Sequence, residues 1–273
     1  MTILWWIIGV GLALVALKLL IVWAEPYMSF VPRRGPTPPP PGFTALHLQS
    51  PDGTRLSGWR TEIPVEGPVF LYFCGNAGNL DDRRDLLARA AEAGLAIVAF
   101  DYRGAGESKG RATEAHVYAD ADAICRFMVD SLGIAPERIV LWGHSIGGAV
   151  AIALAHRRPC AGVIAEATFR SARVMARRML PFLPAHWFMT YRFDNEGTVP
   201  DLACPILFVH GSDDLTIPAS DSQFLCDIAG ERGDLWLVDG ADHNNVFEVA
   251  GDQFYTRLLL FAQQVTSPTL RAR

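Results

Sequence analysis

The chain has 273 residues, half of them hydrophobic and 19% charged, which excludes disorder as the dominant state, since disordered chains combine low hydrophobicity with high charge. Its net charge of −5 argues against nucleic acid as a partner, because phosphate binding needs a basic field. The five cysteines (Cys74, Cys125, Cys160, Cys204 and Cys226) form no CxxC pair and read as reduced thiols, neither a disulfide framework nor a zinc site.

The apolar excess lies at the start. From Ile3 to Ala24 only Lys18 is charged. At ~1.5 Å per residue this run reaches ~33 Å, enough to cross a hydrocarbon core of ~30 Å. Trp5 and Trp6 near one end, with Trp23 and Tyr27 near the other, suit the two interfaces of a bilayer. The expectation is a single membrane helix over residues 1–25. A cleaved signal fits less well, because no basic residue precedes the run and Val22-Trp23-Ala24 is a poor cleavage site. Lys18, Arg33 and Arg34 all lie on the C-terminal side, so the positive-inside tendency places the main domain in the cytoplasm. Gly35-Pro36-Thr37-Pro38-Pro39-Pro40-Pro41-Gly42 reads as an extended spacer, giving a linker over 26–42.

From Phe43 to about Ser267, strands and helices alternate. Thr44–Ser50 and Thr54–Thr61 flank Pro51-Asp52-Gly53 as a hairpin. Continuous apolar runs at Val69–Cys74, Leu95–Phe100, Arg138–Trp142, Gly162–Ala165, Pro205–Val209 and Leu235–Val238 read as buried strands. Helical spacing separates them at Asp81–Ala93, Glu114–Leu132, Ile146–His156, Ala219–Ala229 and Val246–Gln264. This order predicts an α/β fold: a mostly parallel sheet with helices on both faces, antiparallel only at the hairpin edge. Residues 268–273 are left as a tail. Such sheets carry their sites at the carboxyl ends of the strands, so chemistry should follow the apolar runs.

It does. Gly143-His144-Ser145-Ile146-Gly147-Gly148 joins a strand to a helix, and a serine on so sharp a turn needs small neighbours. A serine hydroxyl is a poor nucleophile without a base, and the base needs a carboxylate to orient it. The order Ser, acid, His is met downstream. One strand ends in His210-Gly211-Ser212-Asp213-Asp214, and another leads into Asp239-Gly240-Ala241-Asp242-His243. His243 is the candidate base. Asp213 and Asp214 both remain candidates for the acid on spacing alone. His47, His116, His144, His156, His186 and His210 read as structural.

Past the proline stretch the chain resembles the alpha/beta-hydrolase superfamily, most closely its membrane-tethered, lipid- and thioester-directed members. The motifs that carry the resemblance are Cys74–Asn79, Asp101–Ser108, the Ser145 turn, His210–Pro218 and Gly240–Asn244. The resemblance implies Asp214 as the acid, through the HGxxDxxVP pattern, and the backbone N–H groups of Asn76 and Ile146 as an oxyanion hole. It also implies a cap over about 168–201. Relatives usually carry histidine where this chain has Cys74, which leaves the thiol as a conceivable second nucleophile. Within the cap, Arg170, Arg173, Arg177 and Arg178 read either as a solvated face or as a lipid-facing one. Met175, Met179, Phe182, Leu183, Trp187 and Phe188 read as acyl-pocket lining or core filler.

The function expected is a membrane-anchored serine hydrolase that cleaves acyl esters or thioesters through a Ser145 acyl-enzyme. No metal or cofactor is implied; the partners are a small acyl substrate and membrane lipid. A serine aminopeptidase-like enzyme and a non-catalytic binding protein on the same fold are the competing readings.

Overall fold

The computed structural model describes residues 2–182 and 184–267. The sequence expectations for Leu183 and for the 268–273 tail lie outside them. Eight strands of one sheet are given by β1 (Thr44–Gln49), β2 (Arg55–Arg60), β3 (Val69–Phe73), β4 (Ala96–Phe100), β5 (Ile139–His144), β6 (Gly162–Glu166), β7 (Ile206–Gly211) and β8 (Gly233–Val238). Their spatial order is β1-β2-β4-β3-β5-β6-β7-β8. The hairpin β1–β2 pairs antiparallel, β2 pairs antiparallel to β4, and every other pairing is parallel. This is the mostly parallel α/β sheet expected from the alternation of elements, and it agrees with the alpha/beta-hydrolase fold that the resemblance implies.

Period-two geometry divides the apolar strand residues between two cores. Leu71, Val98, Leu141, Val163 and Phe208 face one side, against Ile124 and Met128 of helix Glu114–Asp130 and Val150 of helix Ile146–Arg157. Phe70, Ile97, Val140, Ile164 and Leu207 face the other, against Leu87 of helix Arg84–Glu92 and Phe254 and Leu258 of helix Asp252–Thr266. The expected helix over 246–264 is two helices. Gly251, at φ +56°, turns the chain between Val246–Ala250 and Asp252–Thr266.

Buried Arg103 pins the loop after β4 to the hairpin. Its guanidinium meets Asp120 at 2.7 Å and Asp52 at 2.5 Å, and also binds Ser50 Oγ. Asp120 is as buried as Arg103 itself, so neither charge can be left alone at low cost.

At the N-terminus, helix α1 (Thr2–Ser29) is long and apolar enough to cross a membrane, and its apolar stretch is uncovered by the domain. It runs through Pro26, past the expected end at residue 25. The following residues do not form a free spacer. Thr37 C=O accepts from Trp59 Nε1 at 2.8 Å, and Pro38 C=O accepts from Arg84. Buried Trp59 and the half-buried Arg84 lay this stretch along the domain surface.

Among its described residues, the insertion between β6 and β7 has the short helices Ala172–Met179, Ala185–Phe188 and Asn195–Thr198. Met175 packs on the core as expected, yet Met179, Phe182 and Trp187 are 67%, 98% and 74% exposed. Their exposure places them outside the core.

Arg103→Met should destabilise the full chain by ~3 kcal/mol, because it leaves Asp120 buried and unpaired. Chemical denaturation of the detergent-solubilised protein checks this, and an unchanged midpoint would show that the cluster contributes nothing.

Candidate active site

All parallel strands end on one edge, and the expected residues follow them directly. Ser145 stands between β5 and helix Ile146–Arg157 with φ +54° and ψ −118°, a region that costs a non-glycine residue ~1–3 kcal/mol. The neighbours make this geometry possible. A Cβ on Gly143 would overlap the Gly147 carbonyl, and one on Gly147 would overlap the carbonyl of Phe73. Ser145 N–H donates to Glu166 O at 2.8 Å, while its own carbonyl accepts from Thr168 Oγ1 and Gly148 N–H, both at 3.0 Å.

The loop after β8 carries His243 to this serine. Its Nε2 lies 3.2 Å from Ser145 Oγ, and its Nδ1 lies 2.7 Å from Asp214 Oδ2. A carboxylate only accepts, so Nδ1 carries the proton and Nε2 is free to accept from the hydroxyl. Asp214 is buried, whereas Asp213 is exposed and bound by Ser212, and Asp242 closes a local turn with Asn244 and Asn245. Geometry therefore separates the two acids that spacing left open.

Burial opposes the Asp214 charge, but donors outweigh it: His210, His243 and Ile217 N–H hold the carboxyl well below its usual range. His210 is the residue that sequence reasoning placed in the background. Its Nε2 faces Asp214 Oδ2 at 3.1 Å and Ile217 O at 2.9 Å, both acceptors, so that nitrogen is the protonated one. Ser222 Oγ, 2.6 Å from Nδ1, completes its bonding. One cue was available, since His210 sits four residues before the acid on the same strand end.

His144 was likewise read as structural, and its Nε2 lies 2.9 Å from the His243 carbonyl oxygen. It thus ties the loop of the base to the strand of the serine. Burial first, then the positive Arg83 and the neighbouring His243, lowers its pKa to about 3. Cys74 is also buried. Burial pushes its thiol up to about 12, the reverse of what a nucleophilic cysteine requires. The second-nucleophile reading of Cys74 therefore has no support here.

Gly75 lies against His144, so the loop after β3 borders the serine turn. Among the described residues, the N–H groups of Asn76 and Ile146 have no acceptor. No group of three or more His, Cys, Asp or Glu side chains disposed to hold a metal ion occurs among the described residues.

Strand order, serine turn and site geometry define an alpha/beta hydrolase. The family profile described as alpha/beta hydrolase fold matches residues 68–203. The uncharacterized protein Rv2307c of Mycobacterium tuberculosis is 30% identical over 234 residues, covering 83% of both chains. The lysophosphatidylserine lipase ABHD12 of Danio rerio is 29% identical over 230 residues, covering 70% of this chain and 59% of its own. Among solved structures, the Pyrococcus furiosus esterase Pf2001 superposes with a TM-score of 0.72 at 17% identity, covering 88% of this chain and 99% of that one. The chain belongs to the alpha/beta-hydrolase fold family, and it shares its fold with that structure.

Across the range from pH 5 to 9 the His144 ring should remain neutral, with the proton on Nε2, since its carbonyl partner only accepts. Nitrogen-15 spectra of labelled protein check this. A doubly protonated His144 at pH 6 would contradict the burial argument.

Proposed function

We propose that the protein is a membrane-anchored serine hydrolase that cleaves acyl esters or thioesters. The observation that carries this is the continuous chain of contacts from Ser145 Oγ through the His243 ring to buried Asp214. Ser145 Oγ attacks the acyl carbon while its proton passes to His243 Nε2. The tetrahedral oxyanion accepts from Asn76 N–H and Ile146 N–H. Collapse breaks the bond to the alcohol or thiol, which takes the proton from His243 and leaves the acyl group on Ser145. Water then repeats the sequence: His243 takes its proton, and the acid departs as Ser145 regains its hydrogen. Asp214 holds the ring in the tautomer that accepts and stabilises the imidazolium as it forms. His210 and the Ile217 N–H keep Asp214 ionised for that task.

The membrane part of the reading rests on α1 and the cap. The exposed Met179, Phe182 and Trp187 belong to the insertion whose helix Ala185–Phe188 touches α1, and they suit contact with lipid. Residues 1–25 would then be the anchor. Lys18, Arg33 and Arg34 support a cytoplasmic catalytic domain. A cleft of about 250 Å³ in the cap is lined by Arg173, Arg177, Arg192 and His186 together with Asp194 and Glu196, so that its guanidinium groups outnumber its carboxylates. No described group pairs with these three guanidinium groups, whereas Arg170 is held by Glu196 and Arg178 by Asp221. Unpaired arginines favour a substrate with an anionic headgroup, and the lipase name of ABHD12 points to the same class.

Ser145→Ala should abolish both ester hydrolysis and labelling by a fluorophosphonate probe while the chain stays folded. Labelled Ser145→Ala protein, or an unlabelled wild type, would refute the reading. Asp214→Asn should lower kcat by ~10⁴. Arg173→Gln combined with Arg177→Gln should raise KM for a lysophospholipid ~10-fold, by loss of charge-assisted hydrogen bonds, and leave that for p-nitrophenyl butyrate unchanged. An equal change for both esters would remove the headgroup argument.

A further inference from the structure

We propose that residues 31–35, which leave the end of α1, position the oxyanion loop, and that Arg33 is the side chain through which they do so. This inference rests on the hydrolase reading above, in which Asn76 N–H is an oxyanion donor.

The loop after β3 is held at its ends, where Tyr102 OH donates to Cys74 O at 2.9 Å and Asn79 N–H donates to Asp82 Oδ2 at 3.0 Å, but its middle leans on another segment. Asn76 and Ala77 are exposed, and glycines flank them at 75 and 78, the latter at φ +82°. Among the described residues, no strand of the main sheet pairs with it. Its partner is the stretch after α1: Val31 and Pro32 run parallel to Ala77 and Gly78. Val31 N–H donates to Asn76 O at 2.9 Å, and Arg33 N–H donates to Gly78 O at 3.0 Å. Pro32 lies between them, where the alternation of a parallel edge asks for no donor.

Arg33 then closes the far side of the loop. Its guanidinium donates to Asn79 Oδ1 at 3.0 Å and meets Asp82 at 2.8 Å and Asp81 at 3.5 Å. Asn79 Nδ2 donates back to Arg33 O at 3.2 Å. The same carbonyl accepts from Gly106 N–H at 2.8 Å, and Gly35 N–H returns a bond to Gly106 O. One short stretch therefore joins the loops after β3 and β4.

The stretch is itself anchored. Phe30 is buried and packs edge-on against Tyr102 and Phe193. Five residues earlier, buried Glu25 accepts from Thr190 N–H at 2.5 Å, from the Thr190 hydroxyl, and from Tyr191 N–H at 3.2 Å. The end of α1 is thus seated on the cap and continues directly into the brace of the loop.

Oxyanion donors act only when fixed before charge develops, and small misplacements are costly in rate. Arg33 is about half exposed, so its ion pairs add little to global stability. What it supplies is placement. Loss of Arg33 should therefore appear in the transition state and not in substrate binding or melting.

The test uses the full chain in detergent micelles, with p-nitrophenyl butyrate as substrate and butylboronic acid as a tetrahedral inhibitor. Arg33→Ala should lower kcat ~10-fold or more, with KM within twofold, and weaken boronate inhibition by a similar factor. Arg33→Lys, which keeps a cation for Asp82, should recover part of both. Val31→Pro removes the N–H that binds Asn76 O and should repeat the kinetic pattern, which covers the case of a misfolded Arg33→Ala. A kcat and boronate affinity within twofold of wild type in the folded variants would overturn the proposal, as would a joint fall of kcat, KM and melting temperature. Wild-type protein that fluorophosphonate fails to label would instead refute the hydrolase reading itself.

Discussion

Ser145 occupies a backbone region that no serine prefers, and everything at the carboxyl edge of the sheet is arranged around that strain. A φ of +54° persists because its surroundings leave no alternative: Glu166 O takes its N–H, while Thr168 and Gly148 hold its carbonyl. Close packing of Gly143 on Gly147, and of Gly147 on the end of β3, lets the helix start immediately beneath the serine. Because β3, β5, β6, β7 and β8 are parallel, their loops all open on this edge. A serine, a carboxylate and an imidazole far apart in sequence thus come within hydrogen-bond reach without a long loop.

Charge at this edge is concentrated by burial. Asp214 remains ionised despite being buried, because two imidazoles and the backbone N–H groups of Thr216 and Ile217 donate to it. Burial raises Glu166 and Cys74 and lowers His144, while Arg83, beside them, keeps its charge. Asp214 is the carboxylate in direct contact with the His243 ring. In the proposed mechanism this suits the imidazolium, which gains an unscreened partner on one side and keeps its proton-transfer nitrogen toward Ser145.

Much of this was legible in the sequence, for local reasons. Buried parallel strands read as continuous apolar runs, and the Ser145 turn needs glycines at set positions, so both leave short-range marks. The choice between Asp213 and Asp214 is not local; it depends on which side chain the end of β7 turns inward. His210 and His144 escaped for the same reason, since their partners are Asp214 and the His243 carbonyl and neither pairing leaves a pattern in composition. The proline stretch misled because its extended backbone is common to a free rod and to a segment laid on a surface. Trp59, Arg84 and Asp101, far along the chain, distinguish the two. Glu25 is the extreme case, an acid at the end of an apolar helix whose partners lie 165 residues away.

That acid changes how the N-terminus relates to the site. An anchor on a loose tether would only raise local concentration near lipid. Here Glu25 joins α1 to the cap, Phe30 fills the space between Tyr102 and Phe193, and the next residues pair with the loop that borders Ser145. The exposed apolar residues of the cap belong to the segment that α1 touches. If α1 stands in a bilayer, the cap and the loop share its frame, and the orientation of the site toward lipid follows from packing. For an ester that resides in the membrane, such a fixed approach lowers the orientational cost of reaching the serine, which a flexible spacer would not.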